Sequence, residues 1–542
     1  CWWNGCRYNS KLWSKRNENP KKIRSEIKKR INKSKLHEIG SRKKAIVKAI
    51  EDLNSGNILV VAGKGHENIQ DYGHSKIYFS DRVNILKHIK IKNSKLSRNF
   101  KLNILREVSN KSYFSSKINI KDASINSKEI RKNDIFFAIK GKNKDGNHYL
   151  NEAFKKGASL AVVNRLNSSE KINKQIKVKD TLKFLSKVST IVRRNSPSKI
   201  IAITGSCGKT SLKELLAKTL NKFSKTSYSP KSYNNKYGVP LSLFNLNPKH
   251  NYGVFEVGMD KKGEIDFLTK IIKPDIGIIT NISYAHAKNF KNIKQIALAK
   301  SEIIKNINIG GALVLNADDK FYKLHKKIAL RLKLNVYSFS MNKKNTNINL
   351  NSIKKIGNKF KVTVNIEKQK KFFFTSSNFE SNIKNLLATI TIFLVIDKIK
   401  NLHKNIFYDF YTPEGRGDIT KLKVNKKNIY LIDESYNSNP LSLRSAIKNF
   451  NSMKNKNSKK YLILGDMLEL GKHSKKQHFE ISKIINSSSI DSINVFGKHI
   501  KKTYEKIYRS KKGLIFKETS EIINLIKNNL NNNDYIMIKG SN

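Results

Sequence analysis

Cysteine, proline, tryptophan and acidic side chains are all scarce in this 542-residue sequence, with 3 Cys, 8 Pro, 3 Trp and 41 Asp+Glu against 108 Lys+Arg. Cys1, Cys6 and Cys207 form no CxxC pair, which argues against a zinc ribbon or a disulfide framework and for a reducing, cytoplasmic compartment. Long apolar runs are missing too. The longest, Leu386 to Ile396, falls well short of the ~18 residues of a membrane-spanning helix, so no membrane span is expected. The shortage of acid leaves a formal net charge of +67, which taken alone suggests a nucleic-acid partner. Lysine is dispersed along the whole chain together with abundant Asn and Ile, the drift an AT-rich genome imposes. No arginine-rich tail or basic block stands out, so the charge favours anionic substrates and no nucleic-acid partner is expected.

The apolar fraction of 38% suffices for buried cores, and the length suggests several domains of an α/β protein. In residues 1–90, RKKAIVKAIEDL has helical spacing, NILVVAG reads as a buried strand over Ile58 to Ala62, and KIYFSDR as a short second strand. A polar linker is expected at 91–99. A small α/β unit follows over 100–195, then a larger one over 196–410, where apolar strands alternate with amphipathic helices in the rhythm of a mostly parallel sheet. A last α/β unit occupies 411–542, and no solenoid repeat is present.

The strongest local signal is IAITGSCGKTS. A buried strand, Ile200 to Thr204, runs into Gly205, Ser206, Cys207, Gly208, Lys209, Thr210 and Ser211, and a helix follows at once. Glycines let backbone N–H groups face phosphate oxygens, and the helix N-terminus adds partial positive charge. Lys209 has the reach for the β- and γ-phosphates of ATP, and the Thr210 hydroxyl for Mg²⁺. Ile203 stands where the full Walker spacing has a glycine, which leaves the shorter TGxxGKT form. Cys207 reads as a tolerated small residue rather than a reactive thiol. A similar turn, AGKGHENIQ, has no Ser or Thr after its lysine and no amphipathic helix behind it, so a single nucleotide site is expected.

Downstream, SYNNKYGVPLSL carries Asn234 and Asn235, NYGVFEVGMDKKGEI ends an apolar strand on Glu256, and TNISYAHAKNF places His286 just after another. Ligand groups of open α/β sheets gather beyond the carboxyl ends of the strands. Glu256 and His286 are therefore candidates to complete a cation site with Thr210. Lys300, in IALAKSEII, reads by itself as a surface lysine on a helix.

TGSCGKTS, NNKYGVPLSL, EVGMDKKGEI, TNISYAHAKNF with IALAKSEI, LNADD, LIDESYNSNP and GDMLELG, in that order, resemble the motifs of the Mur ligase family from about Lys111 to Asn542. Within the family, SYNSNP and GDMLELG resemble the branch that adds D-alanyl-D-alanine to UDP-N-acetylmuramoyl-tripeptide through an acyl phosphate, in peptidoglycan precursor synthesis. The resemblance implies a monomeric three-domain ligase. Its first domain, 100–195, would bind the UDP-substrate with Ser127 and Lys128, where the family usually has Ser-Arg. Its central domain, 196–410, would hold ATP and Mg²⁺, with Asn316 near the base and Arg416 near the phosphates. Lys209, Glu256, His286 and Lys300 would form the catalytic set, and a lysine at the Lys300 position can be carbamylated into a magnesium ligand. Asn234, Asn235, Ser435, Tyr436 and Asn437 would meet substrate. Glu434 stands where the family commonly has Asp, and Ser381 where it usually has His; the expected C-terminal domain stops short of the family's final helix.

Residues 1–90 resemble instead the C-terminal domain of the family member that forms the tripeptide, with Gly63 and Glu67 at positions that contact its incoming amino acid. All three tryptophans and two of the cysteines lie in the first 13 residues, and no initiator Met precedes them. Two accounts are equally compatible with this: two neighbouring genes fused, the first cut short and its opening frame-shifted, or a natural fused enzyme truncated in sequencing. The competing expectations are a folylpolyglutamate-synthase-like ligase, a basic nucleic-acid-binding ATPase, and an inactive nucleotide-binding fragment.

Overall fold

The computed structural model describes residues 8–10, 25, 36–53, 57–62, 69–71, 76–96, 100–109 and 118–541, apart from 142, 368, 411 and 454–457. Three α/β layers, each built on a mostly or wholly parallel sheet, carry the chain from residue 118 onward. The first holds four parallel strands in the order Ala123–Ser124, Ile135–Phe137, Leu160–Val163 and Gln175–Lys177. Helix Thr181–Asn195 then leads into the central domain. The Asp180 side chain accepts from Leu182 N and Lys183 N at its start, a cap that contributes about 1 kcal/mol.

The central sheet has nine strands. Their order is Thr226–Tyr228, Tyr252–Glu256, Lys199–Thr204, Ile276–Ile279, Ala312–Asn316, Asn335–Ser340, Ile348–Ile356, Lys359–Ile366 and Gln369–Thr375. The first seven run parallel, and the last two close an antiparallel meander. Lys199–Thr204 sits inside the sheet and is buried on both faces beyond its first residue, which is why Ile200 to Ile203 reads as an unbroken apolar run. Helix Lys209–Asn221 packs on it through Leu212, Leu215, Leu216 and Leu220.

The third layer has six strands in the order Asp418–Val424, Lys427–Asp433, Tyr535–Lys539, Lys460–Gly465, Ser492–Phe496 and Lys512–Phe516. No described helix is long and apolar enough to cross a membrane.

Two expectations for the first hundred residues change. Residues 57–62 form no strand, and Ile58 and Val60 are 88% and 70% exposed. A strand is a pairing of backbones, and among the described residues no strand pairs with this stretch. The polar stretch expected as a linker instead gives the last turns of helix Asp81–Leu96, and Phe100–Ser109 is also helical. Helix Arg42–Asp52 forms as its periodicity predicts, tied to the next helix by a buried pair between Arg42 Nε and Asp81 Oδ1 at 2.7 Å. Gly63 and Glu67 lie outside the described residues.

Candidate active site

A cleft of about 800 Å³ opens where the carboxyl ends of the central strands face the C-terminal domain. Its floor is the phosphate loop. Gly205 holds φ +148°, and a Cβ there would lie 1.9 Å from Thr280 Oγ1, so only glycine fits. Cys207 N donates to Asn281 Oδ1 at 3.0 Å, and Thr280 Oγ1 donates to Cys207 O at 2.7 Å. Ser206 Oγ donates to Ser283 O at 3.0 Å. The loop is thus braced by the segment after Ile276–Ile279. Gly208 takes φ +80° at the helix start, and no side chain caps that start. The first helical N–H groups remain open to an anion, which is the fit a polyphosphate requires. Lys209 Nζ folds back to Gly205 O at 3.1 Å.

Gly205→Ala is expected to weaken ADP binding at least about tenfold, because backbone strain of ~1–3 kcal/mol adds to the clash. In calorimetric titration the double variant with Thr280→Ala should recover only part of the loss. Full recovery would show that the clash, not the backbone, sets the requirement.

Glu256 ends strand Tyr252–Glu256 and is 1% exposed. Its Oε2 accepts from Thr210 Oγ1 at 2.7 Å and its Oε1 from Asn234 Nδ2 at 2.7 Å. Both partners are neutral, and among the described residues no Lys, Arg or His forms an ion pair with it. A buried carboxylate beside a hydroxyl, without a counter-charge, suits a divalent cation. Arg416 reaches in from the C-terminal side, with Nη2 3.3 Å from Ser232 Oγ, while Ser232 Oγ lies 3.4 Å from Thr210 Oγ1.

Three sequence-matched domain models cover this architecture in order. The Mur ligase family, catalytic domain, matches residues 119–193; the Mur ligase middle domain matches 203–393; and the Mur ligase, glutamate ligase domain, matches 416–542. The UDP-N-acetylmuramoyl-tripeptide--D-alanyl-D-alanine ligase of Rickettsia prowazekii is 32% identical over 436 residues, covering 79% of this chain and 94% of that protein. The chain belongs to the Mur ligase family. The enzyme of the same name from Buchnera aphidicola is 33% identical over 424 residues, 78% of this chain and 89% of that one. Among solved structures, MurF from Acinetobacter baumannii superposes with a TM-score of 0.69 at 25% identity, over 81% of this chain and 95% of its own.

In this Mur ligase the cleft gathers Ser206 through Ser211, Asn234, Asn235, Glu256, His286, Arg416, Tyr436 and Asn437. Asn235 spends its amide oxygen on Tyr237 N and Gly238 N, both at 3.0 Å, and so starts helix Gly238–Phe244. Tyr436 lies under Arg416, with the guanidinium carbon 4.0 Å from the ring centre. Ser435 bonds Asp433 Oδ1 through its own N and Oγ, at 2.9 and 2.6 Å. Asn316 is buried, accepts from Asp318 N at 3.0 Å, and is not among the residues lining the cleft. Ser127 and Lys128 sit in the first domain, where Ser127 Oγ donates to Glu152 Oε2 at 2.6 Å and Lys128 is exposed.

Lys300 corrects its reading as a surface residue. It is 1% exposed at the end of helix Ile293–Lys300, and among the described residues its Nζ makes no ion pair. Burial, followed by the charge of Lys209, pushes its amine well below the usual lysine range. Cys207 is also more engaged than a tolerated small residue. Its Sγ donates to Asn439 Oδ1 of the C-terminal domain at 3.1 Å, and burial raises its pKa.

Several contacts had no sequence signal of their own, although Asn439 lies in SYNSNP and Glu469 in GDMLELG. Asn439 caps helix Pro440–Ser452 while accepting from Cys207, and Lys539 is buried, holding Glu434 Oε2 at 3.0 Å and Asn437 O at 3.1 Å. Glu469 lies 2.6 Å from His286 Nδ1, and that contact holds its carboxyl below the usual range. Each of these joins segments far apart in the chain, which no local pattern announces.

Proposed function

We propose that the chain is an ATP-dependent ligase that joins D-alanyl-D-alanine to UDP-N-acetylmuramoyl-tripeptide in peptidoglycan precursor synthesis, with Mg²⁺ as cofactor. The observation that carries this reading is the relatives' shared name and near-complete coverage, joined to a cleft whose phosphate loop faces the SYNSNP segment of the C-terminal domain.

The tripeptide's terminal carboxylate attacks the γ-phosphorus of ATP, forming an acyl phosphate and releasing ADP. The dipeptide's amine then attacks the acyl carbon, and the tetrahedral intermediate collapses to an amide and inorganic phosphate, losing the amine proton. The open helix N–H groups and Lys209 offset charge on the transferring phosphoryl group. Thr210 and Glu256 would hold Mg²⁺, with His286 and a carbamylated Lys300 completing the set; the ion supplies charge neutralisation on the phosphates. Asn234 orients the Glu256 carboxylate. Arg416, packed on Tyr436, presents a fixed cation near the phosphates. The contacts from Cys207 to Asn439 and from His286 to Glu469 hold the C-terminal domain over the cleft, excluding water from an acyl phosphate that would otherwise hydrolyse. A neutral amine is the form that adds CO₂, and the buried environment of Lys300 favours that form.

Phosphate release is expected only when ATP, Mg²⁺, UDP-N-acetylmuramoyl-tripeptide and D-alanyl-D-alanine are all present. Release that continues without either peptide substrate would sink the ligase reading.

A further inference from the structure

One cation of the phosphate helix takes no part in the phosphate loop. Lys213 lies a turn beyond Lys209 on helix Lys209–Asn221, and its side chain is fully buried. A buried ammonium must find partners for its N–H bonds. Lys213 Nζ donates to Ser229 O at 2.7 Å and to Lys231 O at 2.5 Å, and it meets Glu214 Oε1 at 3.0 Å. Two of the three contacts thus go to one short segment, the turn that leaves strand Thr226–Tyr228. Lys231 sits in that turn at φ +45°, a left-handed conformation that persists only when its surroundings hold it.

The segment from Ser229 to Asn234 touches all three domains. Ser232 Oγ stands between Thr210 Oγ1 of the phosphate helix and Arg416 Nη2 of the C-terminal domain. Asn234 is tied to the end of strand Tyr252–Glu256 twice, through its amide to Glu256 Oε1 and through its carbonyl, which accepts from Gly258 N at 2.8 Å. Ser229 Oγ accepts from Glu256 N at 3.3 Å. On the other side Lys231 Nζ lies 3.6 Å from Glu129 Oε1, next to Lys128 in the first domain. The phosphate loop itself is braced by Thr280, Asn281 and Ser283, without Lys213.

We propose that Lys213 is a positioning residue: by binding the carbonyls of Ser229 and Lys231 it fixes the Ser229–Asn234 segment, and so places Ser232 between Thr210 and Arg416. The buried cation acts on the reaction only through that segment. Its effect on turnover rests on the ligase reading above, whereas the anchoring of the segment does not.

The test combines hydrogen–deuterium exchange, ADP titration calorimetry and steady-state phosphate release on the full chain, for wild type, Lys213→Met, Ser232→Ala and the double variant. In Lys213→Met the amides of residues 229–238 should exchange about tenfold faster or more, while helix Lys209–Asn221 keeps its wild-type rates. ADP affinity should stay within about threefold, because the loop's brace is separate. Turnover should fall about 10–100-fold, the effect of misplacing groups around a reacting centre. Ser232→Ala should leave exchange unchanged and lower kcat about 3–10-fold, as the loss of one polar contact does. The double variant should turn over within about twofold of Lys213→Met, since both changes remove the same placement. Unchanged exchange over 229–238 in Lys213→Met would overturn the proposal. So would equal loosening of the phosphate helix with loss of ADP affinity, which would make Lys213 a packing residue only, and so would wild-type kcat in Ser232→Ala. If Lys213→Met fails to fold, Lys213→Gln, whose shorter amide cannot hold both carbonyls, takes its place with the same expected pattern. Absence of turnover in wild type would remove the ligase reading, and the exchange comparison would still decide the anchoring.

Discussion

Lys209→Ala is expected to lower turnover by about 10³-fold or more with the fold intact. The lysine supplies the loop's own positive charge at the carboxyl end of strand Lys199–Thr204, with its amine 3.1 Å from Gly205 O. Charge that moves onto a transferring phosphoryl group in a cleft shielded from water is stabilised by fixed cations far more than it would be in bulk solvent. The brace from Thr280, Asn281 and Ser283 does not use the Lys209 side chain, so the loop should keep its shape without it. The check is steady-state phosphate release beside far-ultraviolet circular dichroism. Undiminished turnover would mean that the phosphate loop is misassigned.

Lys300→Met is expected to abolish turnover and yet to stabilise the protein. A buried lysine amine with no ion pair among the described residues resists protonation, and its pKa falls in the folded state for that reason. The sign follows from proton counting. Between the depressed folded pKa and the ordinary unfolded value, the unfolded chain binds more protons than the folded one. The folded state is therefore disfavoured by this group at low pH, and that penalty fades as pH rises through the window. Methionine fills a similar volume and carries no proton. In CO₂-free buffer the variant should melt at least ~3 °C above wild type at neutral pH, the shift that about 1 kcal/mol produces in a domain of this size. The gap should narrow as pH climbs toward that of free lysine. A gap that widens with pH would contradict the burial argument; a variant with wild-type turnover would remove Lys300 from the site.

Local chemistry is what the sequence displays well. The phosphate loop is legible because strand, glycines, lysine and helix are contiguous, and the structure places Gly205 to Ser211 as that pattern predicts. Glu256 is legible as the first polar residue at the end of an apolar strand. Lys300 is not, since one lysine among 108 Lys+Arg carries no mark of its burial. Glu469 and Asn439 are hidden for a related reason: their partners His286 and Cys207 lie 183 and 232 residues away. The run at Ile58 misleads in the opposite direction. Its composition is that of a strand, but a strand is a pairing, and composition cannot supply the partner.

The central sheet's ladder has a last consequence. Glu256, the phosphate loop and the segment leading to His286 hang from three adjacent strands, with Glu256 opposite Ile203 and Ile279 opposite Thr204. Neighbouring strands stand ~4.8 Å apart and advance ~3.3 Å per residue. The spacing between carboxylate, hydroxyl and phosphate cradle is thus inherited from backbone pairing rather than tuned by side chains. The sheet acts as a ruler, and the distances it sets change only in whole-residue steps, each of which would exchange the two buried faces of a strand and so repack both layers against it.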